Sequence, residues 1–199
     1  MSGILDMIAG QLDDQSLGQL GNQLGADQGS LASAIGAALP MLLGGLERNV
    51  RTESGAQALQ TALSRDHDGN VLNDLSGFFN QQPTQQDARM VEHILGSKRQ
   101  AAEQSLGRAS GLNQEAIGGL LQNLAPMVMA ALGQKSRSGG FDAGQLAGML
   151  GGEARELGDR EPAAMGMLNQ FLDSDGDGDV DMTDLAQQGA SLLNSFLRR

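Results

Sequence analysis

The chain has 199 residues, a net charge of −11, 40% hydrophobic residues and only 3% aromatic residues. This length suits one medium domain or two small ones with a buried core. The acidic balance and the shortage of aromatic rings argue against a nucleic-acid partner, because phosphate binding needs clustered Lys and Arg. The absence of Cys excludes disulfides, thiolate metal sites and Cys nucleophiles.

The first residues, "MSGILDMIAGQLDDQ", lack the basic region and cleavage site of a secretory signal peptide. We therefore expect a cytoplasmic protein by default, and export without a signal peptide stays open. The longest apolar run, Ala34–Leu46, has 13 residues and contains Pro40. Because a membrane-spanning helix needs about 18 apolar residues or more, the sequence predicts no membrane span.

Two stretches of the chain share a helical pattern. Residues 27–46 and 113–132 each place apolar residues at steps of three and four, which is typical of a helix with one apolar stripe. The predicted core positions are Leu31, Ala34, Ile35, Ala38, Leu39, Leu42, Leu43 and Leu46 and, 86 residues later, Ile117, Leu120, Leu121, Leu124, Ala125, Val128, Met129 and Leu132.

The same offset of 86 aligns Asp27 with Asn113, and the Pro-Met pair at 40–41 with that at 126–127. Asp and Asn are good helix N-caps. Proline inside a helix costs about 3 kcal/mol unless a kink or break accommodates it. A shared proline at equivalent positions therefore favours an internal duplication, with halves at 1–87 and 88–135.

An aspartate-rich segment at 58–75 aligns with a second one at 167–184 at an offset of 109. In the first segment the candidate ligands are Asp66, Asp68 and Asn70. In calcium-loop register, Ser64 and Leu75 would occupy the two end positions, where oxygen ligands are needed. An ordinary Asp-Gly turn explains this segment better, and the alternative is a decayed calcium loop that pairs with the good one.

The change of offset places 23 extra residues in the second half, near 134–161. The basic, Ser/Gly-rich start of that stretch is typical of a linker. The sequence therefore predicts an all-α protein in three parts. They are a helical core at 1–135, a linker with a short helix at 136–161, and a helix–loop–helix at 162–199.

Residues 173–184, "DSDGDGDVDMTD", match the EF-hand spacing D-x-[DN]-x-[DN]-G. Gly178 lies at position 6, where the loop turns sharply. Position 12 is Asp184, one methylene shorter than the usual Glu, which lowers the expected affinity. The candidate ligands are Asp173, Asp175, Asp177, Asp179, Asp181 and Asp184.

Six carboxylates in twelve residues suit a hard cation with six to eight oxygen ligands, so we expect Ca²⁺ as the bound ion. Asp at position 12 resembles the loops of dockerin modules. The flanks agree with a helix–loop–helix, because Pro162 is suited to the first turn of an entering helix and Leu192, Leu193 and Phe196 give the exiting helix an apolar face. An acidic turn without metal is the alternative.

No other sequence pattern indicates a catalytic or cofactor-binding site. The two histidines, His67 and His93, are isolated, and no G-x-S-x-G, P-loop or dinucleotide motif occurs. Met41, Met127 and Met129 lie on the two apolar stripes, where core packing is the first interpretation and a partner-binding groove the second.

The segments "LGADQGSLASAIGAALPMLLGGL", "DHDGNVLNDLSGFF" and "VEHILG" resemble an uncharacterised bacterial family classed as a domain of unknown function, related to small YidB-like helical proteins. The resemblance covers roughly the first two-thirds of the chain. It implies a helical fold and a bacterial source, and it assigns no catalytic residue.

The leading hypothesis is a non-enzymatic, helical, calcium-binding protein with a structural or interaction role, acting through a protein partner or by self-association. The second is a calcium-responsive regulator that exposes a Met-rich apolar groove. A hydrolytic enzyme is a third hypothesis without a supporting constellation.

Overall fold

The computed structural model describes residues 3–66 and 70–160, and neither range contains a β-strand. The predicted all-α fold is therefore confirmed for this part of the chain. Two 3-10 helices lie at Asn70–Asn73 and Gly96–Lys98. The α-helices are α1 (Ile4–Gln11), α2 (Asp14–Leu24), α3 (Gln28–Asn49), α4 (Glu53–Asp66), α5 (Leu75–Phe79), α6 (Gln85–Leu95), α7 (Arg99–Ser110), α8 (Gln114–Gly139) and α9 (Ala143–Arg160).

Helix α8 lies at the centre of the core, where it contacts α1, α2, α3, α4, α6 and α7. All eight of its predicted core positions are buried. Residues on its other faces, such as Asn123, Pro126 and Ala130, are buried as well. A helix with neighbours on several sides also buries residues outside its stripe, so the buried surface of α8 is wider than the single apolar stripe predicted for it.

Helix α3 has the predicted one-sided pattern. Its eight predicted core positions are all buried, and it packs against α2, α6, α7 and α8. Ala32, Ser33 and Gly36, which lie outside the apolar stripe, are exposed. Pro40 lies inside α3 and Pro126 inside α8, and both helices continue through the proline.

The offset of 86 residues extends to the turns before these two helices. Helix α2 ends at Gly25 with φ of 63°, and α7 ends at Gly111 with φ of 76°. Glycine is favoured at both positions because other residues rarely adopt this left-handed backbone. Asp27 and Asn113 then cap α3 and α8 with their side chains. The equivalent turns support the interpretation of α2–α3 and α7–α8 as related helix pairs.

The sequence predicts a linker with a short helix at 136–161, and the structure differs at the start of this stretch. Helix α8 continues to Gly139, and Phe141 N donates to the Ser136 carbonyl across Gly140, whose φ is 61°. This C-terminal hydrogen bonding satisfies the last carbonyls of the helix, so the Ser/Gly-rich stretch stays helical to its end. The connection is only residues 140–142, and the helix that follows, α9, has 18 residues.

The contacts divide the chain into two units, residues 1–154 and 155–199. Of the second unit, the described residues are only the end of α9. The predicted calcium-binding helix–loop–helix at 162–199 lies outside the described residues.

By length and composition alone, α3 and α8 each satisfy the requirement for a membrane-spanning helix, with mean hydropathy of 1.5 and 1.4. Core helices of soluble proteins meet the same requirement, and the window tested is 56% buried in α3 and 83% buried in α8. The absence of a membrane span therefore stays a prediction.

Candidate functional site

An open apolar groove of about 370 Å³ lies between α1, α2 and α3. None of its lining residues carries a polar side chain. They are Leu5, Ala9, Leu12, Leu17, Ala32, Ile35, Gly36, Leu39 and Pro40.

Helix α1 forms one wall of the groove because it is apolar on two faces. Ile4 and Ile8 are fully buried, and α1 packs on α8. Leu5 and Leu12, on its other side, are half-buried, and Ala9 is exposed. A helix this short gains most of its stability from packing, so its first face anchors it and leaves the second available.

Helix α3 forms the opposite wall. Ile35 and Leu39 are buried at the base of the groove, while Ala32 and Gly36 are exposed and Pro40 is half-buried. A Cβ added at Gly36 would meet no heavy atom within 4 Å. The opening above α3 is therefore bordered by small residues, and a bound group can approach the helix backbone closely.

The start of α1 is fixed by Glu153 of α9. Its Oε2 atom accepts a hydrogen bond from Ile4 N at 3.1 Å, and its Oε1 atom lies 3.4 Å from Lys135 Nζ in α8. The first N–H groups of a helix have no partner within the helix, and a carboxylate satisfies them while favouring the positive end of the helix dipole. Glu153 thus holds one wall of the groove in place.

The surroundings of the groove are acidic. Asp13 and Asp14 lie between the lining residues Leu12 and Leu17, and both are exposed. A hydrogen bond from Ser16 N to Asp13 lowers the pKa of that carboxyl, and the backbone N–H of Ser30 lowers the pKa of Asp27 in the same way. The two caps, Asp13 and Asp27, are therefore ionised near neutral pH. Residues 1–47 contain five acidic residues and no Lys, Arg or His.

This arrangement suits binding better than chemistry. Small-molecule sites combine apolar walls with a few convergent polar groups, and this lining has none. Within residues 3–66 and 70–160, no group of three or more His, Asp or Glu side chains is placed to hold a metal ion. The groove can remove apolar side chains of a partner from water.

The residues predicted to bind calcium are not brought into this site. Asp173, Asp175, Asp177, Asp179, Asp181 and Asp184 all lie outside the described residues. In the first aspartate segment, α4 ends at Asp66 and a 3-10 helix begins at Asn70. Asp68, between them, also lies outside the described residues, so whether this segment binds metal stays a prediction.

The three methionines of the apolar stripes lie in the core, and His93 lies on the surface. Met41, Met127 and Met129 are buried in the core, as first interpreted from the sequence. His93 is exposed, and its Nδ1 atom lies 2.9 Å from the Arg89 carbonyl of the same helix.

The groove was not predicted from the sequence. A signal for it was present in "ILDMIAGQL", where apolar residues occupy two sides of a helical wheel rather than one. One face is needed to pack on the core. The surplus apolar residues Leu5, Ala9 and Leu12 indicate a second apolar surface.

Residues 6–135 match the sequence profile of a family described as "Bacterial protein of unknown function (DUF937)". No curated protein and no solved structure matches the chain. Because the match covers more than half of the chain, the protein belongs to this bacterial family. The matched range includes eight of the nine residues that line the groove, and Leu5 lies one residue before it.

Proposed function

We propose that the protein is a non-enzymatic, helical binding protein that docks a protein partner in the α1–α2–α3 groove and binds one Ca²⁺ at residues 173–184. The observation that carries the docking role is the groove itself, whose nine lining residues are all apolar. The calcium role rests on the spacing of the six aspartates. A cytoplasmic location, the relation to YidB-like helical proteins and a dockerin-type loop belong to the same proposal.

The physical case for docking is the unfavourable free energy of leaving the apolar surface of the groove exposed to water. Leu5, Leu12 and Leu17 are only half-buried although they lie side by side. Each Å² of apolar surface removed from water contributes about 25 cal/mol. Contiguous exposed apolar surface on a protein marks interaction sites more often than isolated apolar residues do.

The calcium role is tested by isothermal titration calorimetry on the full chain. We expect one Ca²⁺ per chain with a Kd of roughly 10⁻⁶ to 10⁻³ M, the range of weak sensors to extracellular modules. Asp173→Ala should abolish the heat of binding, because it removes the ligand at position 1. The matched control Glu115→Ala removes one exposed carboxylate of α8 and should leave binding unchanged. Equal binding by both variants would refute the site.

The regulator hypothesis makes a different prediction. For calcium to expose a Met-rich groove, Met41, Met127 and Met129 would have to leave the core in which they are buried. We expect instead that calcium leaves the binding of an apolar fluorescent dye unchanged, since the α1–α2–α3 groove is already open. A large rise in dye fluorescence on adding Ca²⁺, absent in Asp173→Ala, would favour the regulator.

A further inference from the structure

The surroundings of the groove also indicate the chemistry of its partner. We infer that the groove binds a cationic amphipathic helix, which inserts aliphatic side chains between α1 and α3 and places Lys or Arg beside Asp13 and Asp14. This inference rests on the proposed docking function and adds the class of partner to it.

The shape of the opening fits a helix. Ala32, Gly36 and Pro40 follow one another at intervals of four along one side of α3, so they span about 12 Å, or two helical turns. Side chains at i, i+4 and i+7 of a partner helix cover a similar length. Exposed Ala32 and Gly36 present almost no side chain, so two helix axes can approach closely there.

The charge around the opening selects the sign of the partner. Asp13 and Asp14 lie between the lining residues Leu12 and Leu17, and residues 1–47, which contain the whole lining, carry no basic residue. Opposite charges at the rim of an interface speed association and reject partners of the same sign. A basic helix is therefore attracted to this face.

The same charges disfavour two other occupants. A second copy of this chain would bring the same acidic face against itself, and each chain has a net charge of −11. An anionic membrane surface would be repelled for the same reason, because membrane-binding surfaces are rich in Lys and Arg.

The test uses the full chain and two synthetic 18-residue amphipathic peptides, one of Leu and Lys and the other with Glu in place of every Lys. Binding is measured by fluorescence anisotropy in 50 mM salt, with and without Ca²⁺. We expect the Leu/Lys peptide to bind at least tenfold more tightly than the Leu/Glu peptide.

Two variants locate the binding in the groove. Gly36→Gln places a side chain in the opening, where a Cβ meets nothing within 4 Å, and should weaken Leu/Lys binding at least tenfold. We choose Gln because the equivalent residue of α8, Gln122, shows that a helix of this pattern accepts it. The matched control is Gly44→Gln, on the same helix with equally open space but outside the lining, and it should bind as the wild type does.

A second pair of variants tests the charges. Asn is a good N-cap, so the double variant Asp13→Asn with Asp14→Asn keeps the start of α2 and removes two charges. It should weaken Leu/Lys binding roughly fivefold at 50 mM salt and much less at 500 mM, where exposed charges are screened. Glu92→Gln with Glu115→Gln changes the net charge equally on exposed residues elsewhere and should have little effect.

The outcomes separate the two levels of the proposal. If both peptides bind equally and Gly36→Gln weakens both, the groove docks helices but the inference about charge is wrong. If Gly36→Gln and Gly44→Gln bind alike, or neither peptide binds, the docking function itself fails. Self-association lost only in Gly36→Gln, or binding to anionic vesicles lost only in Gly36→Gln, would assign the groove to another occupant and overturn the inference.

Discussion

Helices α3 and α8 follow the same sequence pattern, yet they differ in their surroundings. Each follows a turn that begins at a left-handed glycine, starts at a capping Asp or Asn, and contains a proline at the same place. Helix α8 is enclosed by six other α-helices, whereas one side of α3 remains open. The comparison shows that an apolar stripe predicts which residues face the core but not how many neighbours a helix acquires.

The positions that differ are those outside the shared stripe. Ala32 and Gly36 of α3 border the groove, and their equivalents in α8 are Gly118 and Gln122. Ala130 of α8 is buried, while its equivalent Gly44 is half-buried with open space beside it. After a duplication, the two copies can keep the same inward face while their outward faces serve different purposes.

The largest effect on stability is expected from substitutions at the equivalent positions Ala130 and Gly44. Ala130→Gln forces a long polar side chain into a core position that is 1% exposed, and we expect a loss of about 3 kcal/mol in the free energy of unfolding. Gly44→Gln replaces a helical glycine where nothing obstructs the side chain, so stability should rise by ~0.5 kcal/mol. Urea denaturation measures both. Similar losses in the two variants would show that α3 is covered on this side as α8 is.

Much of this architecture follows from residue spacing. The steps of three and four at 27–46 and 113–132 predict both long helices, their N-caps and all sixteen core positions, each of which is buried. These features are local or depend on one buried face, so a single sequence contains the information. Pro40 and Pro126 did not mislead the prediction because the apolar pattern continues on both sides of each.

What the sequence did not reveal depends on long-range packing. The enclosure of α8 includes helices as distant in sequence as α1, and the groove is lined by residues of three separate helices, α1, α2 and α3. The end of α8 was also misplaced, because Ser136 and Gly139 favour a linker by composition, while Gly140 provides the actual end. The calcium loop lies outside the described residues, and it is supported by the spacing of its aspartates.

The next effect concerns how closely α3 approaches α6. A Cβ at Gly45 would lie 2.7 Å from the Ile94 carbonyl oxygen and 3.0 Å from Ile94 Cγ2. The equivalent residue in α8 is Ala131, which is buried with a Cβ in place. We expect Gly45→Ala to cost about 2 kcal/mol, because a backbone carbonyl cannot move aside easily.

Gly44→Ala is the control for this substitution. It adds the same methyl group one residue earlier, where no heavy atom lies within 4 Å, and should stabilise the protein by roughly 0.5–1 kcal/mol. Thermal unfolding of the two variants gives the comparison. If Gly45→Ala is also stabilising, the close contact between α3 and Ile94 does not exist in solution.

The smallest expected effect is a difference in the pH dependence of stability between the two helix caps, Asp27 and Asn113. Asp27 Oδ1 accepts hydrogen bonds from Gly29 N and Ser30 N, each at 3.0 Å, and Asn113 Oδ1 accepts one from Ala116 N at 2.8 Å. The N–H of Ser30 lowers the pKa of Asp27 below its ordinary 3.8 in the folded protein. The charged cap therefore stabilises the fold above pH 3.8, and that contribution is lost as the pH falls through the lower folded pKa.

Asn113 does not ionise in this range, so its contribution should not change with pH. We expect Asn113→Ala to cost about 1 kcal/mol at both pH 7 and pH 3. Asp27→Asn should be less stable than the wild type at pH 7, and the difference should shrink as the pH falls below 3.8. Urea titrations at several pH values measure this, and an Asp27→Asn variant with the same pH dependence as the wild type would show that the Asp27 carboxylate does not cap α3 in solution.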